Sequence, residues 1–101
     1  MFARVNRFTG PPERLEDGLA MFREQVLPHM EKQPGFDGAL FMADRTDEVV
    51  YAITFWSSEG EMVAGAEIGR RLAEEAARKF GSEVETSPCE VLFSKLPMSV
   101  V

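Results

Sequence analysis

Residues 49–56 read VVYAITFW. Successive side chains of a strand point to opposite faces, so a sheet with one wet face alternates apolar and polar residues. This segment does not alternate. Val49, Tyr51, Ile53 and Phe55 fall on one side, and Val50, Ala52, Thr54 and Trp56 on the other. Both faces of the strand need cover, and a chain of 101 residues has little material to spare for it. That demand constrains the fold more than any other feature of the sequence.

The rest of the chain supplies three more strands and two helical regions. Residues 2–8 (FARVNRF) read as the first strand. Thr9-Gly10-Pro11-Pro12 opens a helix, with a capping hydroxyl and then prolines whose missing N–H does no harm in a first turn. Leu15, Leu19, Phe22, Val26 and Met30 recur at helical spacing and form one apolar stripe. Gly18 weakens that helix slightly, Pro28 should kink or tighten it, and Gln33-Pro34-Gly35 ends it. Residues 36–43 read as the second strand, with Phe36, Leu40 and Met42 on one side and Ala39, Phe41 and Ala43 on the other. Residues 48–56 are the third strand, after a polar turn at Arg45-Thr46-Asp47. Ser58 and Glu61 have capping-box spacing. A short helix over 59–64, a break at Gly65 and a longer helix over 67–80 follow. Ile68, Leu72, Ala76 and Phe80 line the apolar side of the longer one, and Arg70–Glu74 and Arg71–Glu75 are i,i+4 pairs on its wet side. The last strand is read at 90–95 (EVLFSK), with an extension back to Val84 across Ser87-Pro88 left open.

Strand, helix, strand, strand, helix, strand is the order of the ferredoxin-like βαββαβ arrangement, an α+β fold with a four-stranded antiparallel sheet. Right-handed crossovers place both helical regions on one face. The other face is then left apolar and uncovered, and soluble monomers rarely expose apolar patches beyond a few hundred Å². The tail, residues 96–101, is too short to cover it. A second copy of the same sheet, packed at about 10 Å, is the simplest cover. A chain of this mass exposes roughly 5,700 Å², and a standard interface takes about 800 Å² of that per partner. The sequence therefore predicts one domain over residues 1–101 that pairs as a two-fold homodimer through the sheet face.

Charge and composition narrow the function. The net charge is −6 and the only adjacent basic pair is Arg70-Arg71, so nucleic acid is not an expected partner. No apolar run approaches the ~20 residues of a membrane helix. The start, MFARVNRF, does not read as a secretory signal. One cysteine, Cys89, gives no internal disulfide and suits a reducing compartment, so the expected location is cytoplasmic. With one Cys and one His, a thiolate–imidazole metal site within one chain is not available.

Three stretches carry a family resemblance: Asn6-Arg7 in the first strand, "LPHMEKQPGFDGALF" across the helix end and second strand, and "TFWSSEGEM" from the third strand into the next helix. In these the chain resembles the antibiotic-biosynthesis-monooxygenase-like (ABM) family of dimeric α+β barrels. The resemblance implies a homodimer and, in each protomer, a pocket between helices and sheet for a small apolar or aromatic ligand. Activities in that family are cofactor-independent oxygenation of aromatic polyketides, oxidation of quinols, and haem degradation. The haem-degrading branch places an Asn on the first strand and a Trp and a His on the second helical region. Asn6 matches the first, but the other two positions fall near Gly65 and Glu75, so haem degradation is not expected. No cofactor and no metal are expected.

Within such a pocket, Asn6 and Trp56 are the candidate catalytic residues, and Arg4, Phe22, Tyr51, Ile68 and Leu72 the candidate ligand contacts. An amide such as Asn6 can hold a phenol or an oxygen derived from O2, or can bond a neighbouring backbone at a strand end. Arg4, on the same side, suits either an anionic ligand or a helix carboxylate. Trp56 suits either stacking on a flat substrate or anchoring the strand-to-helix corner. His29, the sole histidine, would be a general base near neutral pH, or a charge at a helix C-terminus. Two functions remain open from these residues: a small cofactor-independent monooxygenase acting on an aromatic or quinol-like molecule, and a non-catalytic dimer that binds a small ligand or serves in assembly.

Overall fold

The computed structural model describes residues 1–95, so the tail at 96–101 lies outside the described residues. Strand β1 (Phe2–Thr9) is followed by a single 3₁₀ turn (Pro12–Arg14), helix α1 (Leu15–Met21), a π-helical turn (Phe22–Val26) and helix α2 (Leu27–Glu31). Strands β2 (Phe36–Asp44) and β3 (Val49–Trp56), helices α3 (Glu59–Ala64) and α4 (Ala66–Phe80), and strand β4 (Glu83–Glu90) complete the chain. The four strands form one antiparallel sheet in the order β2-β3-β1-β4. This is the ferredoxin-like α+β fold read from the sequence.

Local chemistry explains most element ends. Ser58 Oγ accepts from the Glu61 backbone N–H at 3.2 Å and donates to Glu61 Oε1 at 3.0 Å, a capping box closed side chain to side chain. Gly81, in the left-handed region at φ 65°, ends α4, and the Ala77 carbonyl accepts from the N–H groups of both Gly81 and Ser82. Thr9 differs from expectation. It is the last residue of β1, paired with Val49 and Glu83, and the helix begins instead through the 3₁₀ turn. On the wet face of α4, Arg70 bridges Glu67 at 2.6 Å and Glu74 at 2.9 Å, while Arg71–Glu75 is not among the ion pairs of the described residues.

Pro28 widens its helix rather than tightening it. Having no N–H, it interrupts the i→i−4 ladder, and the Leu27 N–H reaches back five residues to the Phe22 carbonyl. The last strand also differs. It runs over Glu83–Glu90, and Val91 to Lys95 have no regular structure. An edge strand tolerates Pro88 because only one side of its backbone must pair. The apolar 91–93 run drew the expectation toward it, but Leu92 and Phe93 are 86% and 84% exposed.

The registers sort the sheet into two faces. Arg4, Asn6 and Phe8 lie level with Thr54, Ala52 and Val50, facing the helices. Val5 lies level with Ile53 and Leu40, and Arg7 with Tyr51 and Met42, on the face away from them. Phe36 departs from the expected alternation. The β2–β3 register shifts between Phe36 and Gly38, and Gly38 adopts φ 153° to make the bulge. Phe36 therefore joins the helix side, apart from Leu40 and Met42, and packs edge-on against Trp56 with ring centres 5.7 Å apart. It completes an apolar cluster of Met30, Trp56 and Met62, flanked by Ile68 and Leu72, at one end of the helix–sheet interface.

Candidate functional site

Beside that cluster the interface is not filled. A cavity of about 320 Å³ lies between the sheet and the helices, within the size range of small-molecule sites. Its floor is β1, β2 and β3, through Arg4, Asn6, Phe8, Phe41, Ala52 and Thr54, and its roof includes Phe22, Val26 and Leu72. Small residues keep it open. Ala52 offers little bulk, and Gly18 stands where a side chain would meet the Phe41 ring. The π-helical turn presents Phe22 and Val26 to the cavity, and Phe22 sits 5.3 Å from Phe41, ring centre to ring centre. Such turns recur at functional sites because the extra residue re-aims side chains.

The polar groups on the floor are few and oriented. Arg4 is 5% exposed. Its Nη2 donates to the Met62 carbonyl, its Nη1 lies 3.5 Å from the Gly65 carbonyl, and its guanidinium stands 5.6 Å from the centre of the Trp56 ring. Burial draws its pKa down from the ordinary arginine value, since desolvation disfavours the charged form. Asn6 is buried, and its Oδ1 accepts from the Thr86 hydroxyl at 2.7 Å. That bond leaves the amide Nδ2–H₂ as the group Asn6 offers. Thr54 Oγ1 accepts from Trp56 Nε1 at 3.0 Å.

Among the residues proposed from sequence, the structure brings Arg4, Asn6, Phe22 and Leu72 together around this cavity. Three fall elsewhere. Trp56 is fully buried and does not line the cavity: its indole N–H is satisfied by Thr54 and its ring lies under Gly65, where an added Cβ would stand 2.7 Å from Cη2. Ile68 packs against the Met30–Trp56–Met62 cluster. Tyr51 points to the other side of the sheet, because it alternates with the cavity residues Val50 and Ala52. The alternative of a helix carboxylate for Arg4 also fails: among the described residues no acidic side chain pairs with it. His29 is exposed, with Nδ1 2.7 Å from the Gln25 carbonyl oxygen, and Cys89 is exposed on β4. Sequence reasoning missed Thr86 and Phe41 as site residues. Phe41 was legible in its alternation with Ala39 and Ala43. Thr86 was not, since only the β1–β4 register sets it beside Asn6.

The sequence profile described as "Antibiotic biosynthesis monooxygenase" matches residues 1–64. The chain belongs to this family. No curated protein sequence matches the ABM chain. Among solved structures, it is similar to SnoaB, a cofactor-independent oxygenase from Streptomyces nogalater, at 26% identity and TM-score 0.67, with 96% of this chain and 97% of that one covered. A Streptomyces coelicolor monooxygenase in complex with nanaomycin D shares the fold at 20% identity and TM-score 0.74, covering 96% and 92%. MhuD, a haem degrader from Mycobacterium tuberculosis with two haems bound, does so at 20% and 0.73, covering 94% and 99%. Histidine ligation of haem iron does not fit the ABM cavity described here. No imidazole, thiolate or phenol lines it among the described residues, since His29, Cys89 and Tyr51 all lie elsewhere.

Proposed function

We propose that the protein is a monooxygenase that oxidises a small aromatic or quinol-like molecule in the helix–sheet cavity without a cofactor. The observation that carries this reading is the cavity itself: apolar walls and aromatic rings around one oriented amide and one buried guanidinium on a single strand. Membership of the family and the likeness to an oxygenase that needs no cofactor support it.

The chemistry asks little of the protein if the substrate is the reductant. For an anthrone-type substrate, the CH₂ group supplies four electrons and two hydrogens to O₂. One oxygen atom becomes the new carbonyl and the other leaves as water. The protein's part is to exclude bulk water, seat the substrate ring against the Phe22–Phe41 pair, and place the Asn6 amide N–H on a substrate oxygen where charge builds up. In this reading the protein works as a homodimer, with a second sheet covering Val5, Leu40, Ile53 and Phe55.

Oxygen uptake with a panel of hydroquinones and anthrones tests the activity. The expected result is uptake above buffer with at least one compound, and a fall in kcat of about 10²-fold or more in Asn6→Ala, the scale seen when one oriented donor is removed. A clear thermal shift from the same compounds with no uptake would replace the enzyme by a ligand-binding module.

A further inference from the structure

The least explained group in the cavity is Arg4. A buried guanidinium is costly unless its charge is met. The ion pairs of the described residues are Arg14–Asp17, Arg70–Glu67 and Arg70–Glu74, all on the surface and none involving Arg4. What Arg4 has instead is the carbonyl end of α3, at Met62 and Gly65. Even a long helix presents only about half a negative charge there. Those two carbonyls also occupy only two of the five guanidinium N–H groups.

The remaining donors have somewhere to point. No buried side-chain nitrogen or oxygen among the described residues is left without a partner. Nε, the one guanidinium nitrogen without a hydrogen bond, is therefore not sealed off, and the space that Arg4 borders is the cavity. Gly69 on α4 makes room for this, since a Cβ there would stand 2.7 Å from Arg4 Nη1. Asn6 lies two residues along the same strand, with its carbonyl oxygen held by Thr86 and its N–H₂ left free. The nearby Thr54 hydroxyl oxygen already accepts from Trp56. The cavity also has two carboxylates, Asp44 and Glu48, and two further cations, Arg14 and Arg45. Asp44 is level with Val49, five register positions from the Arg4–Thr54 pair, which is about 17 Å along the strands. This end of the cavity thus offers hydrogen-bond donors and one uncompensated positive charge.

Taking the cavity as the ligand site, as in the function proposed above, we propose that its ligand carries an anionic oxygen group, a carboxylate or an ionised hydroxyl, and that Arg4 with Asn6 binds that group. Arg4 is then a specificity-determining residue, and the apolar walls select the ring that bears the charge.

Isothermal titration with matched ring compounds tests this without turnover. The probes are 2-naphthoate, its neutral counterpart 2-naphthamide, and 4-nitro-1-naphthol titrated across its own ionisation. The expected result is at least tenfold tighter binding of an anionic form than of its neutral counterpart at low salt, a preference that shrinks as salt is added. A preference for naphthoate alone assigns the group as a carboxylate, and one for ionised nitronaphthol alone as a hydroxyl. Arg4→Met should abolish the preference, and Arg4→Lys should keep part of it, since the charge stays while the fork geometry is lost. Equal or tighter binding of the neutral compounds by the wild-type protein would overturn the proposal, as would a preference that survives in folded Arg4→Met. If Arg4→Met fails to fold, the wild-type comparison still decides. Oxygen uptake with neutral substrates and no preference for anions would remove this inference and leave the proposed oxygenase standing.

Discussion

Single atoms decide the local outcomes in this protein. Trp56 and Gly65 form the clearest case. The indole is fully buried and its far edge fills the space where a Cβ on residue 65 would go. Gly65 has φ −84°, ψ −2°, which any residue can adopt, so its glycine is required by packing and not by backbone shape. Gly65→Ala should therefore cost about 1–3 kcal/mol by overpacking. Gly60, in the same helix α3, has nothing within 4 Å of an added Cβ. Gly60→Ala should raise stability by about 0.5 kcal/mol through helix propensity and chain entropy. Urea unfolding of the two variants should move the midpoint in opposite directions. Equal shifts would mean that the indole is not the constraint. Thr86 and Asn6 form a second local pair in the site, where the hydroxyl donates to the amide oxygen and the Nδ2–H₂ is the end left over.

Among the elements, irregularities do more than regular spans. The β2 bulge moves Phe36 onto the helix side, where it meets Trp56, while Leu40 and Met42 keep the outer face. Only a residue tolerant of φ 153° allows that crossing. Gly38→Ala should cost about 1–3 kcal/mol as backbone strain and should change Trp56 fluorescence, because Phe36 loses its seat on the indole. Unchanged fluorescence at lowered stability would separate the strain from the packing. The π-helical turn is the second irregularity. Pro28 removes a hydrogen bond, the helix answers by widening, and the widened turn carries Phe22 and Val26 over the cavity. In both places a residue that weakens a regular element is the one that shapes the site.

At the scale of the whole molecule, one face of the sheet is left uncovered among the described residues. Leu40, Ile53 and Val5 form one row across three strands, with Tyr51, Phe55 and Met42 beside them, on the side that carries no helix. None of these six is buried, and Met42 is 45% exposed. A partner sheet, as in the function proposed above, would remove that area from water. Analytical ultracentrifugation at micromolar concentration should give twice the chain mass. Ile53→Lys, at the centre of the row, should shift the equilibrium to monomer. A wild-type protein that sediments at single-chain mass and stays folded would refute the paired sheet. Among the described residues no helix is long and apolar enough to cross a membrane.

The element order, the doubly apolar third strand, the split of the second helical region at Gly65 and the cap at Ser58 were all legible in the residues. Each depends on neighbours within a few positions, where period and steric preference act directly. Asn6 and Arg4 were legible as a pair for the same reason, being two apart on one strand. The position of β4, the side taken by Phe36, the burial of Trp56 away from the cavity and the Thr86 bond to Asn6 were not. Each depends on register between segments far apart in the chain, and a one-residue shift in pairing exchanges the two faces of a strand. The sequence alone determined that the sheet is apolar on both sides. Tertiary packing alone decided which of those apolar residues touch one another and which surround an open space, because both kinds have the same chemistry and differ only in what stands opposite them.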